Sequence, residues 1–174
     1  MKVVLGVTGS IAAYKACEIV RLLVKRGDDV RVVMTESARE FVTPLTFQTL
    51  SRNPVECDMF ASPRGWKPEH VSLADCADLV VVAPATANTI AKMAHGIADD
   101  LLSSTLLATE APIVVAPAMN SGMWASPATR ANVSALAARG VRFVEPGDGE
   151  LACGTSGRGR MAEPSEVVAA CRIP

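Results

Sequence analysis

Apolar and polar positions follow two alternating patterns along this chain of 174 residues. Short runs rich in β-branched apolar residues are separated by longer segments in which apolar residues recur with the period of a helix. The runs predict five strands: Lys2–Thr8, Val30–Thr35, Leu79–Ala83, Ile113–Ala116 and Val141–Val144. Because strands that alternate with helices build βαβ units, the pattern predicts an α/β fold whose parallel sheet is covered on both faces.

The segments between the runs predict five main helices. These are Ile11–Arg26, Ala85–Ala94, Leu101–Thr109, Pro127–Arg139 and Glu163–Cys171. Gly27, Gly96 and Gly140 lie close to the ends of three of them, which is typical of helix termination. Two stretches fit no regular element: Arg52–Glu69, with three prolines, and the glycine-rich Glu145–Arg160. Such long loops are uncommon in a compact domain unless they are functional.

Composition and charge narrow the class of protein. With 17 Lys and Arg against 18 Asp and Glu, the formal charge of −1 provides no basic field, so nucleic acid is not an expected partner. Apolar stretches such as Leu79–Ala85 are much shorter than the roughly 20 residues that span a bilayer, and no signal-peptide core follows Met1. We expect one domain, residues 1–174, in the cytoplasm and without membrane contact.

The five cysteines are odd in number and scattered: Cys17, Cys57, Cys76, Cys153 and Cys171. There is no C-x-x-C pair and no Cys/His cluster with zinc spacing, so no metal site is expected. Reduced thiols are the ordinary state of such cysteines in a reducing compartment, which agrees with the cytoplasm.

The first apolar run leads directly into Gly9-Ser10-Ile11, a turn at the start of a helix. Free backbone N–H groups and the positive end of a helix dipole at such a turn bind anions. The Walker A pattern is absent, and only Gly6 and Gly9 of a G-x-G-x-x-G pattern are present. The loop therefore favours a monophosphate over a dinucleotide, and a plain turn capped by Ser10 is the alternative.

Two hydroxyl residues, Thr35 and Ser37, follow the second run and flank Glu36. The hydroxyls suit a phosphate or a ribityl chain, whereas Glu36 keeps open the ribose contact of a dinucleotide fold. Either hydroxyl also suits the N-cap of a short helix over residues 38–41.

A longer motif carries a family resemblance. Pro117–Trp124 reads PAMNSGMW and matches the pattern P-x-M-N-x-x-M-W of the flavin-containing cysteine decarboxylases at every defined position. Pro84–Thr89 resembles the flavin-binding segment of that family, and Gly9-Ser10-Ile11 resembles its phosphate loop. His70 and Cys153, each in its surrounding sequence, resemble the phosphopantothenoylcysteine decarboxylases of coenzyme A synthesis within that family. The resemblance extends over nearly the whole chain.

The resemblance implies a flavodoxin-like, Rossmann-type fold, a doubly wound parallel sheet in three layers, with FMN as the cofactor. It implies a homo-oligomer, either a trimer or a dodecamer built of trimers, with the flavin at subunit contacts. In many bacteria such a decarboxylase is the N-terminal half of a protein that also contains a phosphopantothenate–cysteine ligase, so a fused or separate ligase is an expected partner. The residues expected at FMN are Gly9, Ser10, Ile11, Thr35, Ser37, Thr86, Ala87, Asn88, Thr89 and Ala118.

The implied reaction is decarboxylation of 4′-phosphopantothenoylcysteine to 4′-phosphopantetheine. The nitrogen of this cysteine is part of an amide, which closes the Schiff-base route of pyridoxal phosphate, and a flavin offers another route. Hydride transfer from the cysteine Cβ to FMN yields a thioaldehyde β to the carboxylate, and its C=S group accepts electrons as CO₂ leaves. Return of the hydride then reduces the enethiol, so the net reaction is redox-neutral.

The resemblance assigns roles to three polar residues. His70 is the expected base during substrate oxidation, because imidazole titrates near neutral pH. Asn120 is expected to hold the substrate carboxylate without a charge that would oppose CO₂ loss, although it also suits a helix N-cap. Cys153 is expected to protonate the enethiolate, since a thiol is mostly protonated at neutral pH. Cys153 opens a loop expected to close as a lid. The hinges expected in it are Gly154, Gly157 and Gly159.

Four further side chains are expected near the substrate. Met119 and Met123 are candidates for substrate contact. Core packing is the other interpretation of Met119, Met123 and Trp124, and it is favoured for Met123 and Trp124. Arg158 and Arg160 are expected either to meet the substrate phosphate or to lie solvated in their loop. Because aromatic residues make up only 4% of the chain, the flavin site is expected to consist mainly of backbone, hydroxyls and small residues.

Related proteins offer three alternatives. A peptidyl-cysteine decarboxylase of lantibiotic maturation performs only the oxidative half-reaction, and Cys153 argues against it because that enzyme needs no second acid. A flavin prenyltransferase of related fold lacks the motif around Asn120. A regulatory, non-catalytic flavin-binding subunit tends to carry long acidic or low-complexity extensions, which this sequence does not show.

Overall fold

The structure, a computed structural model, describes residues 1–60, 66–150, 154 and 156–172, with only the backbone of Glu150. Within these residues the strands are β1 (Lys2–Val7), β2 (Asp29–Met34), β3 (Val55–Glu56), β4 (Leu79–Ala85), β5 (Ile113–Pro117), β6 (Arg142–Phe143), β7 (Gly147–Glu150) and β8 (Ser156–Arg160). The helices are α1 (Ala13–Arg26), α2 (Glu36–Arg39), α3 (Pro44–Ser51), α4 (Glu69–Cys76), α5 (Ala87–His95), α6 (Leu101–Ala108), α7 (Ser121–Ala125), α8 (Pro127–Ala138) and α9 (Pro164–Ala170).

Six strands form one sheet in the order β3-β2-β1-β4-β5-β6, and every neighbouring pair is parallel. From β1 the chain first builds outward through β2 and β3, then returns to the other side of β1 for β4, β5 and β6. The predicted doubly wound parallel sheet is therefore confirmed. Ligands of such sheets bind outside the carboxyl ends of the strands where this reversal occurs, here between β1 and β4.

Helices cover both faces of the sheet, which confirms three layers. Successive residues of β1 point to opposite faces, so Leu5 packs in one apolar core and Val4 in the other. Ile19 of α1 belongs to the first core, and Ile90 of α5 and Leu102 of α6 belong to the second. All five side chains are almost completely buried.

The first helix begins two residues later than its apolar period predicts. Residues before Ala13 are used in a turn in which Ser10 N donates to Thr8 O at 2.8 Å and Ala13 N donates to Ser10 O at 2.9 Å. The helix ends as predicted, at Gly27, whose φ of 95° is left-handed backbone that glycine adopts without strain. The shift at the start leaves a loop, rather than a helical turn, at the end of β1.

The prediction of an irregular loop over Glu145–Arg160 is wrong. Strands β7 and β8 form an antiparallel hairpin there, in which Gly147 pairs with Arg160 and Glu150 pairs with Ser156. The segment has the composition of a loop because its strands contain glycine and charged residues in place of β-branched ones. The other stretch, Arg52–Glu69, contains only the short β3 and the first residue of α4 among its described residues.

The described cysteines are free thiols: Cys17, Cys57, Cys76 and Cys171. Cys171 at the end of α9 is fully buried, and this burial raises the pKa of its thiol to about 11. Among the described helices, none combines the length and the apolar character needed to cross a membrane.

Candidate cofactor and substrate cleft

A cleft of about 750 Å³ lies at the carboxyl ends of β1, β4 and β5. Its volume falls within the range of cofactor and small-molecule sites. Four segments form its walls: the loop after β1 with the first turn of α1, the start of α5, the segment after β5, and the β7–β8 hairpin. The lining residues are Gly9, Ser10, Ile11, Ala12, Tyr14, Lys15, Thr86, Ala87, Ala118, Met119, Asn120, Met123, Gly154, Gly159, Arg160 and Met161.

The first wall is the predicted phosphate loop. Ser10 Oγ accepts a hydrogen bond from Ala12 N at 3.3 Å, and Gly9 lies so close to Ser37 that a Cβ at Gly9 would overlap the Ser37 Cβ. The loop thus has both backbone N–H groups at a helix start and a serine from α2 beside it. Thr35, unlike Ser37, is used to cap α2: its Oγ1 accepts a hydrogen bond from Ala38 N at 3.3 Å.

A smaller cleft of about 180 Å³ lies at the ends of β2 and β3. Thr35 and Glu36 are among its lining residues, together with Asp58 and Asp99. Within the described part of the chain, neither Thr35 nor Glu36 lines the larger cleft. Glu36, the residue considered for a ribose contact, therefore lines the smaller cleft and is not among the described lining residues of the larger one.

The second wall is the start of α5. Thr86 caps this helix, because its Oγ1 accepts from Thr89 N at 3.3 Å and lies 3.1 Å from Thr89 Oγ1. Thr86 and Ala87 face the cleft, whereas Thr89 is buried behind them. Of the expected FMN residues in this segment, Asn88 and Thr89 are not among the described residues that line the cleft.

The third wall carries the motif residues Met119, Asn120 and Met123. Asn120 Oδ1 accepts from Gly122 N at 2.8 Å, so Asn120 caps α7 and lines the cleft at the same time. Met123 is half exposed in the cleft, while the last motif residue, Trp124, is buried. The alternative of core packing therefore holds for Trp124 and not for Met123.

The fourth wall is the hairpin, held by shared ion pairs. Glu163 Oε1 accepts from Lys15 Nζ at 3.0 Å and from Arg160 Nη2 at 2.9 Å, and the bond from Lys15 holds the pKa of Glu163 below its usual value. Two cations share one carboxylate, which leaves positive charge at this wall. Arg158 instead pairs with Glu145 at 2.9 Å, and it is not one of the described lining residues.

The expected role of the hairpin glycines as hinges stays a prediction, and the structure shows a close packing contact at Gly157 and at Gly159. A Cβ at Gly157 would overlap Ser121 Oγ, and a Cβ at Gly159 would overlap the Met119 carbonyl oxygen. Gly159 therefore allows β8 to pack on the backbone of the third wall, and Gly157 allows it to pack on the Ser121 side chain. Gly154 lines the cleft, while Cys153 lies outside the described residues.

His70 is separate from the cleft within one copy of the chain. It lies on α4, which packs against α6, and it is absent from the described cleft lining. Its Nδ1 is buried, and no described residue is its hydrogen-bond partner. The expected base and the expected carboxylate ligand, Asn120, are thus not brought together by a single chain.

Sequence reasoning missed the lining residues Ala12, Tyr14, Lys15 and Met161. Tyr14 and Lys15 follow Ile11 by three and four residues, the spacing at which helical side chains share a face. This spacing could have identified them. Tyr14 also adds an aromatic ring to a site that was expected to consist mainly of small residues and backbone.

These features define a class: a doubly wound α/β protein with a loop suited to an anion and a large cleft at the switch point of its sheet. The sequence model of the Flavoprotein family matches residues 1–172, and the chain belongs to this family. Together with the relatives and solved structures described next, this match confirms the resemblance to the flavin-containing cysteine decarboxylases.

The similar curated proteins are longer than this chain. The coenzyme A biosynthesis bifunctional protein CoaBC of Bacillus subtilis is 52% identical over 166 residues, which cover 95% of this chain and 41% of that protein. CoaBC of Escherichia coli K12 is 48% identical over 167 residues, covering 96% of this chain and 41% of that protein. The chain thus spans about two fifths of the length of these relatives.

Solved structures match the fold over nearly their whole length. A mutant PPC decarboxylase complexed with pantothenoylaminoethenethiol has a TM-score of 0.88 and 33% identity, covering 97% of this chain and 94% of its own. The FMN-dependent cysteine decarboxylase SpaF has a TM-score of 0.83 and 34% identity, with 99% and 98% covered. The FMN-binding protein AtHal3 has a TM-score of 0.83 and 33% identity, with 97% and 93% covered.

Proposed function

We propose that this chain is an FMN-dependent decarboxylase that converts 4′-phosphopantothenoylcysteine to 4′-phosphopantetheine in coenzyme A synthesis. The proposal rests on one observation: three segments that lie far apart in sequence line the same cleft. They are the phosphate loop Gly9–Ile11, the start of α5 at Thr86 and the motif residue Asn120. The similar PPC decarboxylase structure and the CoaBC relatives support the same reaction.

The residues of the cleft fit FMN. The close approach of Gly9 to Ser37 leaves a loop of backbone N–H groups and hydroxyls suited to a phosphate at the N-terminus of α1. Ile11, Tyr14 and Met123 are exposed by 57%, 61% and 49% at the cleft, which is apolar surface that a flat flavin ring would cover. The cleft thus offers a polar loop for the phosphate of FMN and apolar surface for its flavin ring.

The chemistry that bound FMN would supply is reversible hydride exchange with the substrate. Asn120 holds the substrate carboxylate through neutral hydrogen bonds, which do not oppose its loss as a cation would. His70 takes the thiol proton, and Cys153 donates a proton to the enethiolate carbon. Arg160, at the positively charged wall beside Lys15, binds the substrate phosphate.

We also propose that the protein is a homo-oligomer, a trimer or a dodecamer built of trimers, in which His70 of one copy completes the cleft of another. The separation of His70 from the cleft within one chain supports this assembly. Phe60 and Trp66, which are 88% and 89% exposed, provide apolar surface for contact between copies. A ligase, fused as in the bifunctional relatives or separate, and a cytoplasmic location complete the proposal.

The test follows substrate mass and flavin absorbance together. The flavin-loaded protein is incubated with 4′-phosphopantothenoylcysteine, and the expected product is 4′-phosphopantetheine with the flavin spectrum unchanged at the end. Cys153→Ser is expected to lose CO₂ normally and stop at the enethiol, because its poorer acid does not protonate the carbon. The similar PPC decarboxylase was solved as a cysteine-to-serine mutant with such an enethiol.

Other outcomes identify the alternatives. An enethiol as the only product of the unmodified protein would indicate an oxidative half-enzyme of the peptidyl-cysteine decarboxylase type. Full turnover by Cys153→Ser would remove Cys153 from the mechanism. Bound FMN without any change of substrate would indicate a non-catalytic flavin-binding subunit.

A further inference from the structure

A row of hydrogen bonds joins the walls of the cleft underneath it. Ala118 N donates to Ala85 O at 3.0 Å, and this ties the segment after β5 to β4. Met119 N donates to Gly159 O at 3.0 Å, which ties the same segment to the hairpin. Both ties are made by backbone groups, so side-chain substitution does not remove them directly.

The tie between the phosphate loop and the start of α5 is made by a side chain. Thr8 Oγ1 donates to Pro84 O at 2.7 Å and accepts from Thr86 N at 3.0 Å. The backbone pairing of β1 with β4 extends to Gly6 and Val82, so the Thr8 hydroxyl continues the connection beyond the last backbone pair. One hydroxyl here fills both the donor and the acceptor role of a backbone residue.

We propose that Thr8 is a positioning residue for the cofactor: its hydroxyl holds the phosphate loop Gly9–Ile11 at a fixed separation from Thr86 and Ala87. This inference rests on the proposed binding of FMN. A ligand that contacts both walls binds more tightly when their separation is set before binding, because no binding energy is then used to order them. Thr8 itself is 1% exposed and is not among the described residues that line the cleft.

The substitution Thr8→Val separates this role from packing. Valine keeps the shape of threonine but leaves the buried Pro84 O and the partly buried Thr86 N without their partner, which is a costly change. Thr8→Ser keeps the hydroxyl and is the rescue variant. Thr105→Val is the matched control, since Thr105 is fully buried on α6 and donates to Leu101 O at 2.8 Å away from the cleft.

Two measurements on protein freed of flavin test the proposal. The first is the dissociation constant of added FMN, followed by quenching of flavin fluorescence. We expect FMN to bind Thr8→Val about tenfold or more weakly, and to bind Thr8→Ser and Thr105→Val with nearly the affinity of the unmodified protein. The second is hydrogen exchange at the Thr86 amide, which we expect to be slow in the unmodified protein and fast in Thr8→Val.

The FMN affinities and the exchange rate of the Thr86 amide can each overturn a part of the proposal. Unchanged FMN affinity in Thr8→Val overturns the positioning role, and an equal loss in Thr105→Val shows that general destabilisation is the cause. If the unmodified protein binds no FMN, the proposed function fails. The hydrogen-exchange rate of the Thr86 amide still tests whether this amide is held by the Thr8 hydroxyl. Fast exchange of that amide in the unmodified protein overturns the tie even if Thr8→Val does not fold.

Discussion

One amide, that of Asn120, serves both the fold and the cleft. Its Oδ1 caps α7 through the bond from Gly122 N, and the same residue lines the cleft beside Met119. An N-cap needs only an acceptor oxygen, whereas a clamp for a carboxylate needs a donor. The two uses can therefore be separated by a single substitution.

We predict that Asn120→Asp keeps the fold and the flavin but loses turnover. Aspartate supplies the oxygen that caps α7, while its charge repels the substrate carboxylate and its donor is lost. We expect kcat/KM to fall by about 10²–10³-fold. Bound FMN, measured by absorbance, and Tm serve as controls and should be close to those of the unmodified protein. Unchanged turnover would refute the clamp.

For single residues, the sequence could predict sites formed by one contiguous motif better than sites that depend on distant elements. Gly9, Ser10 and Ile11 line the cleft because a strand followed by a turn and a helix brings all three to one place. Thr35 was expected at FMN, but its hydroxyl is already used in capping α2. A choice between capping and binding depends on neighbouring elements, which short motifs do not specify.

Among the elements, the β7–β8 hairpin depends most on the rest of the molecule. Its strands lack the alternating apolar pattern from which a strand is recognised, so the sequence indicated a loop. Its position is set by packing of Gly159 on Met119 and by the pairing of Arg160 with Glu163. By contrast, β1 and α1 were predictable because each has a buried apolar face of its own.

We predict that Gly159→Ala detaches the hairpin, whereas Gly149→Ala does not. The two glycines lie on opposite strands of the hairpin, Gly159 on β8 with a φ of 151° and Gly149 on β7 with a φ of 158°, so both alanines carry a similar backbone cost. Only at Gly159 would the new Cβ overlap backbone, the Met119 carbonyl; at Gly149 it would lie 3.5 Å from Arg160.

The expected result is that Gly159→Ala lowers the free energy of unfolding by about 1–3 kcal/mol more than Gly149→Ala, the range for overpacking. Hydrogen exchange at the Met119 amide, which donates to Gly159 O, should become fast in Gly159→Ala alone. Equal effects of the two substitutions would show that the positive φ, and not docking on Met119, is what matters.

For the whole molecule, the cleft of one chain holds Asn120 without His70. The sequence could assign both residues to one reaction by resemblance, but it contains no information on which copy supplies each. When a site takes its residues from two copies, two variants that are inactive for different reasons can together form an intact site. A site formed by one copy does not allow this.

We predict that inactive copies carrying His70→Asn and inactive copies carrying Asn120→Asp regain activity when co-expressed. A cleft with intact Asn120 then receives intact His70 from its neighbour, and random assembly in equal amounts gives about one quarter of full activity. Mixed oligomers are isolated through two affinity tags, and their turnover is compared with that of each variant expressed alone. Mixed oligomers without activity would place His70 and Asn120 of the same copy in one site.

The carboxylate that Lys15 and Arg160 share also determines how the cleft responds to acid. Glu163 stays ionised to lower pH than an ordinary glutamate, whose pKa is 4.5, because Lys15 donates to it. The stabilisation from this contact is present above that value and is lost as the pH falls through the lowered pKa. Protonation would remove the ion pair between Lys15 on α1 and Glu163 and leave Lys15 and Arg160 without their shared carboxylate, so acid weakens this contact and strengthens the attraction of the wall for phosphate.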